Sequence, residues 1–226
     1  MHPEKYITPE TLEERTQSWL DDIAPYMRAP WDKPVPRQTA ILIIDAQRYF
    51  FDDEFHAALP AAPAIVPNIM RLVEQGAQLG ANIFLTRHAE RDDEIIPSML
   101  AFWGQGLADG TPEAELIPEL AQWLVSLPNP MKLPVIRKWT YDAFFETELK
   151  HILRAREIRW LAIAGVMSDL CCETSARSAF IHGFFPIVIA DAMATSSEEL
   201  HLSALRTLAH GFAEISTTER FLNTLA

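Results

Sequence analysis

Three side chains stand where chemistry could begin: the thiol of Cys171, the carboxylate of Asp45 and the ammonium of Lys138. Cys171 lies in Gly165-Val166-Met167-Ser168-Asp169-Leu170-Cys171-Cys172, which runs from an apolar segment into the start of a helical one. A thiol there meets free backbone N–H groups, which favour thiolate and can hold the oxyanion formed when a carbonyl is attacked. Cysteine is also among the most buried residue types, so a place in the core is the competing reading for both Cys171 and Cys172. Asp45 directly follows the apolar run 40–44. A carboxylate at a strand end either caps a helix or catalyses. Lys138 sits in Val135-Ile136-Arg137-Lys138-Trp139, an apolar, strand-like passage. Beside Cys171 and Asp45 its charge would stabilise both anions and lower the thiol pKa, whereas on a surface it would only extend to water.

These residues need elements to place them. The runs 40–44, 82–86, 158–164, 186–190 and 212–216 read as strands, and 64–79, 146–156, 170–182 and 197–211 as helices. Alternation of this kind predicts an α/β fold with a mostly parallel sheet and helices on both faces, because right-handed crossovers pack back over the sheet. Ligands in such sheets gather at the carboxyl ends of strands where the strand order reverses, and Asp45 and Gly165 both end strands. Upstream, residues 8–26 read as an amphipathic helix, with Thr8 as cap, Pro9 in the first turn, and Leu12, Trp19, Leu20 and Ile23 on one face. Prolines 30, 34 and 36 make residues 28–37 an extended connector. The boundaries are therefore 1–37 for the helix and connector and 38–226 for the main domain. Residues 91–134 read as loops and short helices, either a lid or a packed surface excursion.

Composition narrows the partners. With 49% hydrophobic residues, 226 residues suit one core. A net charge of −12 repels polyanions and excludes nucleic acid as the expected ligand. No apolar run approaches the roughly 18 residues of a membrane span, and residues 1–17 lack the apolar core of a secretory signal, so a cytoplasmic location is expected. The two cysteines are sequence neighbours and are expected as free thiols.

Three motifs in order resemble the isochorismatase-like superfamily over residues 38–220. They are Ile43-Ile44-Asp45-Ala46-Gln47-Arg48-Tyr49-Phe50, Lys138-Trp139-Thr140-Tyr141-Asp142-Ala143-Phe144, and the segment from Gly165 through Cys171 to Arg177. The resemblance implies a three-layer α/β/α fold around a six-stranded sheet and a catalytic triad of Asp45, Lys138 and Cys171. It also implies a cis peptide between Val166 and Met167 and an oxyanion hole from the N–H groups of Met167 and Cys171. Cys172 then belongs to the core. The implied activity is cysteine-dependent hydrolysis of a C–N bond in a small amide, ureido or carbamoyl compound through a thioester. Residues near Phe50, Trp103 and Lys138 also look like the vinyl-ether hydrolases of the superfamily, in which Asp45 would act as general acid without the cysteine. A catalytically silent binding protein on the same fold is the third reading. Homodimers or homotetramers are implied as well.

One departure shapes the substrate expectation. Nicotinamidases of the superfamily carry a metal-binding Asp-x-His motif where this chain reads Thr86-Arg87-His88-Ala89-Glu90. No metal or other cofactor is therefore expected, and nicotinamide is disfavoured. Arg87 and His88 are candidate receptors for a substrate carboxylate, and Phe50, Trp103, Trp139 and Tyr141 for an apolar pocket wall. Arg177, six residues past Cys171, should face away from the thiol and serve structure. Asp191 reads as a turn or cap.

Overall fold

A computed structural model describes residues 3–28, 30–91, 93–127 and 133–226. Six strands form one parallel sheet: β1 (Thr39–Ile44), β2 (Asn82–His88), β3 (Val135–Lys138), β4 (Trp160–Val166), β5 (Phe185–Ala194) and β6 (Glu214–Ser216), in the order β3-β2-β1-β4-β5-β6. Among the described residues the helices are α1 (Leu12–Ile23), α2 (Arg48–Phe51), α3 (Val66–Gln78), α4 (Pro97–Trp103), α5 (Pro118–Ser126), α6 (Leu149–Ala155), α7 (Glu173–Ile181), α8 (Glu198–Gly211) and α9 (Thr218–Leu225). The strands step one way from β1 to β3 and the other way from β4 to β6. Right-handed crossovers then place α3 on one face and α7 and α8 on the other, which is the three-layer α/β/α arrangement expected from the sequence. The reversal falls between β1 and β4, so the ends of those two strands open a crevice.

Every residue of β1 and β4 is buried, as befits central strands covered on both faces. Gly165 makes their close pairing possible. It pairs with Ile44 at a φ of 114°, and a Cβ there would lie 2.0 Å from the Ile44 carbonyl oxygen. Helix α1 is shorter than the 8–26 expected and continues as a 3-10 turn, Ala24–Tyr26; its Trp19 and Ile23 are buried. The helix expected over 170–182 also divides. Residues Ser168–Cys172 form a π-helical turn, and α7 starts only at Glu173. β4 and α6 begin later than expected, and β6 is confined to three residues because Phe212 closes α8. Residues 91–134 contain α4 and α5 as short helices, while positions 92 and 128–132 of that region lie outside the described residues. No helix among the described residues is long and apolar enough to cross a membrane.

Candidate active site

At the carboxyl ends of β1, β3 and β4 the structure brings Asp45, Lys138 and Cys171 together. Lys138 Nζ lies 2.6 Å from Asp45 Oδ2 and 3.4 Å from Cys171 Sγ, and it donates to the Thr140 carbonyl at 2.8 Å. The ammonium thus hydrogen-bonds Thr140 and Cys171 and forms an ion pair with Asp45. Neither Asp45 nor Lys138 is exposed, and Cys171 is 6% exposed. Asp45 is held by Thr86 of β2, whose hydroxyl accepts from the Asp45 N–H at 3.0 Å and donates to Oδ1 at 2.6 Å. The Asp45 backbone takes a left-handed φ of 50°, a conformation that aspartate tolerates better than most residues. That turn leads directly to Gln47, a buried side chain whose amide donates to the carbonyls of His88 and Ala114 and accepts from the His88 N–H. Gln47 thereby ties the ends of β1 and β2 to the loop before α5.

Register explains which charges reach the site. Lys138 pairs with His88 and Arg137 with Arg87 across β2 and β3, and successive strand residues face opposite sides. Lys138 therefore shares a face with Thr86 and meets Asp45. Arg87 points to the other face, where its Nη2 lies 2.7 Å from Asp109 Oδ1. Arg87, the candidate receptor for a substrate carboxylate, thus has a protein carboxylate as its partner on that face. His88 is on the site's side, with Nε2 3.6 Å from Glu90 Oε1 and Nδ1 without a hydrogen-bond partner among the described residues. His88 and Glu90 do not fit a metal centre. No group of three or more His, Cys, Asp and Glu side chains among the described residues is placed to hold an ion.

Burial dominates the electrostatics of the thiol. Burial pushes the Cys171 thiol up, to about 12, with Lys138 opposing and Asp45 adding to the rise. Desolvation of the sulfur outweighs the nearby cation, which acts in the expected direction. Burial likewise works to push the Lys138 ammonium down, but the neighbouring Asp45 and Cys171 reverse this and leave it raised. The thiol of the site is thus deeply buried beside Asp45 and Lys138, and it must pass its proton on when it reacts. Cys172 is fully buried with its thiol pushed well up by burial, as a core residue would be.

The Val166–Met167 peptide is cis, at the junction of β4 and the turn that carries Cys171. Tyr141 reaches the same neighbourhood: burial raises its phenol, Trp103 opposes this, and the charges of Cys171 and Asp169 add to it. Trp103 Nε1 donates to Tyr141 Oη at 2.5 Å, so the end of α4 is fastened to the lysine loop. That loop is fastened in turn to α7, since the Ala143 N–H donates to Ser175 Oγ at 3.0 Å. Trp139 is half-buried and stacks on Arg137, and Phe50 is buried edge-on to Tyr49. Arg177 pairs with Glu173 and lies over Phe212, and Asp191 accepts from the N–H and hydroxyl of Thr218 at the start of α9; both are structural. Thr86, Gln47 and Ser175 were not singled out in the sequence, because hydroxyls and amides of this kind gain meaning only through neighbours distant in the chain.

Comparison with known proteins identifies relatives of the chain. Residues 39–220 match the family model described as "Isochorismatase domain". The chain is 34% identical to Nicotinamidase 3 of Arabidopsis thaliana over 85% of this chain and 91% of that one. It is 32% identical to an isochorismatase of Bacillus subtilis (strain 168) over 89% of this chain and 62% of that one. Among solved structures, a cysteine hydrolase from Pseudomonas syringae pv. phaseolicola 1448A superposes with a TM-score of 0.78 at 25% identity, covering 89% of this chain and 97% of that one.

Proposed function

Since this chain belongs to the isochorismatase family, we propose that it hydrolyses the C–N bond of a small amide, ureido or carbamoyl compound through a thioester on Cys171. The observation that carries the reading is the position of Lys138 Nζ between Asp45 Oδ2 and Cys171 Sγ in a fully buried site. Negative charge passes between carboxylate and sulfur as the proton moves during reaction, and a single fixed cation touches both.

In this mechanism Asp45 takes the proton from Cys171 as sulfur bonds to the substrate carbonyl carbon. The resulting oxyanion is received by the backbone N–H groups of Met167 and Cys171. As the C–N bond breaks, Asp45 passes the same proton to the departing amine or ammonia. Water then gives a proton to Asp45 and attacks the thioester, and the proton returns to sulfur as the carboxylic acid leaves.

Similarity to an isochorismatase supports a second reading, in which Asp45 protonates a vinyl ether and Cys171 is idle. A panel of small carboxamides including nicotinamide, ureido acids, carbamoyl amino acids and isochorismate, assayed with the wild type and Cys171→Ala, separates the two. Amide turnover that disappears in Cys171→Ala supports the thioester. Isochorismate turnover that survives the substitution replaces it with the acid route.

A further inference from the structure

Residues 3–23 lie outside the span that matches the family, yet they reach the turn carrying Cys171 by two short routes. In the first, the Trp19 ring of α1 packs on the imidazole of His201 in α8, with centroids 4.4 Å apart, and His201 Nδ1 lies 2.8 Å from Ser168 Oγ. In the second, Tyr6 Oη accepts from the Thr195 N–H at 3.0 Å, and Thr195 Oγ1 donates to Asp169 Oδ1 at 2.5 Å. The segment is itself anchored. Trp19 Nε1 donates to Glu198 at 2.7 Å, Arg15 pairs with the same carboxylate, and the Glu4 N–H donates to the Ser196 carbonyl at 2.7 Å.

Ser168 and Asp169 are the first two residues of the π-helical turn that ends at Cys171 and Cys172. At its start the turn holds Met167 O with the N–H groups of Leu170 and Cys172, and π geometry gives weaker internal bonding than an α-helix. Side-chain ties from outside are therefore well placed to decide where Cys171 points. His201 and Ser168 are both fully buried, and His201 Nε2 has no hydrogen-bond partner among the described residues. An orphaned buried nitrogen is costly and persists where the other nitrogen has a task. Burial pushes the imidazole down to about 3, so it remains neutral and binds Ser168 as a fixed dipole.

We propose that the N-terminal segment is a positioning element for the nucleophile: Trp19 and Tyr6 fix His201 and Thr195, which hold Ser168 and Asp169 so that Cys171 stays in the dry site beside Asp45 and Lys138. This rests on Cys171 being the nucleophile, but it is testable without turnover. The groups facing the thiol are Lys138, Asp45, Tyr141 and Cys172, and a turn that drifts outward changes its distance from its partners while admitting water. The thiol pKa then falls toward that of a free cysteine, about 8.5.

The test follows iodoacetamide alkylation of Cys171 against pH in a Cys172→Ala background, comparing His201→Asn, His201→Gln, Ser168→Ala and Tyr6→Phe. Asparagine keeps a polar atom near the Nδ1 position and glutamine moves it outward. In His201→Gln and Ser168→Ala, alkylation at pH 8 is expected to rise about tenfold, one pKa unit, and to level off at lower pH. For the amide substrate kcat falls about tenfold with KM within twofold, while His201→Asn stays within about threefold of wild type in both readouts. Tyr6→Phe shifts in the same direction by less. Superimposable alkylation profiles for wild type, His201→Gln and Ser168→Ala overturn the proposal. So does His201→Asn behaving like His201→Gln, which would assign the residue to packing alone. Ser168→Ala and Tyr6→Phe each delete one hydroxyl and carry the test if His201 variants do not fold. Retained amide turnover in Cys171→Ala would instead overturn the thioester reading, and the alkylation profiles would still report on the turn.

Discussion

The carboxyl ends of β2 and β3 carry charge on both faces, and the two faces behave differently. On one, Lys138 lies 2.6 Å from Asp45 with neither side chain exposed; on the other, Arg87 lies 2.7 Å from Asp109 with both about one-fifth exposed. The distances are nearly equal and the consequences are not. Arg87 and Asp109 belong to a wet network, in which Arg137 also pairs with Glu94 and Arg91 approaches Asp109. Each charge there has an opposite neighbour and solvent to screen it, which limits such pairs to about 0–1 kcal/mol. Asp45 and Lys138 have no solvent, so removing either leaves the other stranded. One residue of strand register separates a network that fastens the 91–109 loop from a site that can do chemistry.

Lys138→Met should expose that difference most strongly. It leaves Asp45 buried without its cation, and the expected cost is about 3–5 kcal/mol in chemical denaturation together with at least ~1000-fold in turnover. Turnover within tenfold of wild type would remove Lys138 from the mechanism.

Next in size is Gly165→Ala, which acts on the strand pairing that brings β1 and β4 together. The added Cβ meets Ile44 O at a φ unsuited to alanine, and about 3 kcal/mol or more of stability should be lost. A melting temperature within 2–3 °C of wild type, roughly 1 kcal/mol or less, would show that the pairing relaxes easily.

A pH titration of stability ranks third. His201 is held near 3 when folded and titrates near 6.5 when unfolded, so the unfolded chain binds the additional proton. Its contribution is complete above pH 6.5 and is lost as pH falls toward 3, by about 1.4 kcal/mol per unit. The slope between pH 6 and 4 should lessen by about one proton in His201→Asn, and an unchanged slope would mean that another group carries it.

The smallest effect is expected on the wet face. Asp109→Ala should cost no more than about 1 kcal/mol and leave kcat within about threefold. A loss comparable to that of Lys138→Met would abolish the distinction between the faces.

The three residues of the proposed triad were legible because each ends or follows an apolar run in a βα pattern, where an ionisable group is conspicuous. The sheet was legible for the same reason, although β3 is too short to stand out by periodicity alone. Thr86 and Gln47 were not, since their partners are set by β1–β2 register some forty residues away. His201 resembled any polar residue on an amphipathic helix until α1 was placed over it. The direction of the Cys171 shift was misjudged because sequence shows a helix start and a lysine, whereas only packing shows how completely the sulfur is dehydrated. The pairing of Arg87 with Asp109 was not legible because Asp109 comes from a loop without a regular pattern.

The most direct test of the buried site as a covalent centre is mass spectrometry of the protein acid-quenched while it turns over an active amide. The thioester route predicts a mass increase equal to the acyl group, mapped to Cys171, with both adduct and turnover absent in Cys171→Ala. Wild-type turnover by Cys171→Ala without any adduct would contradict it.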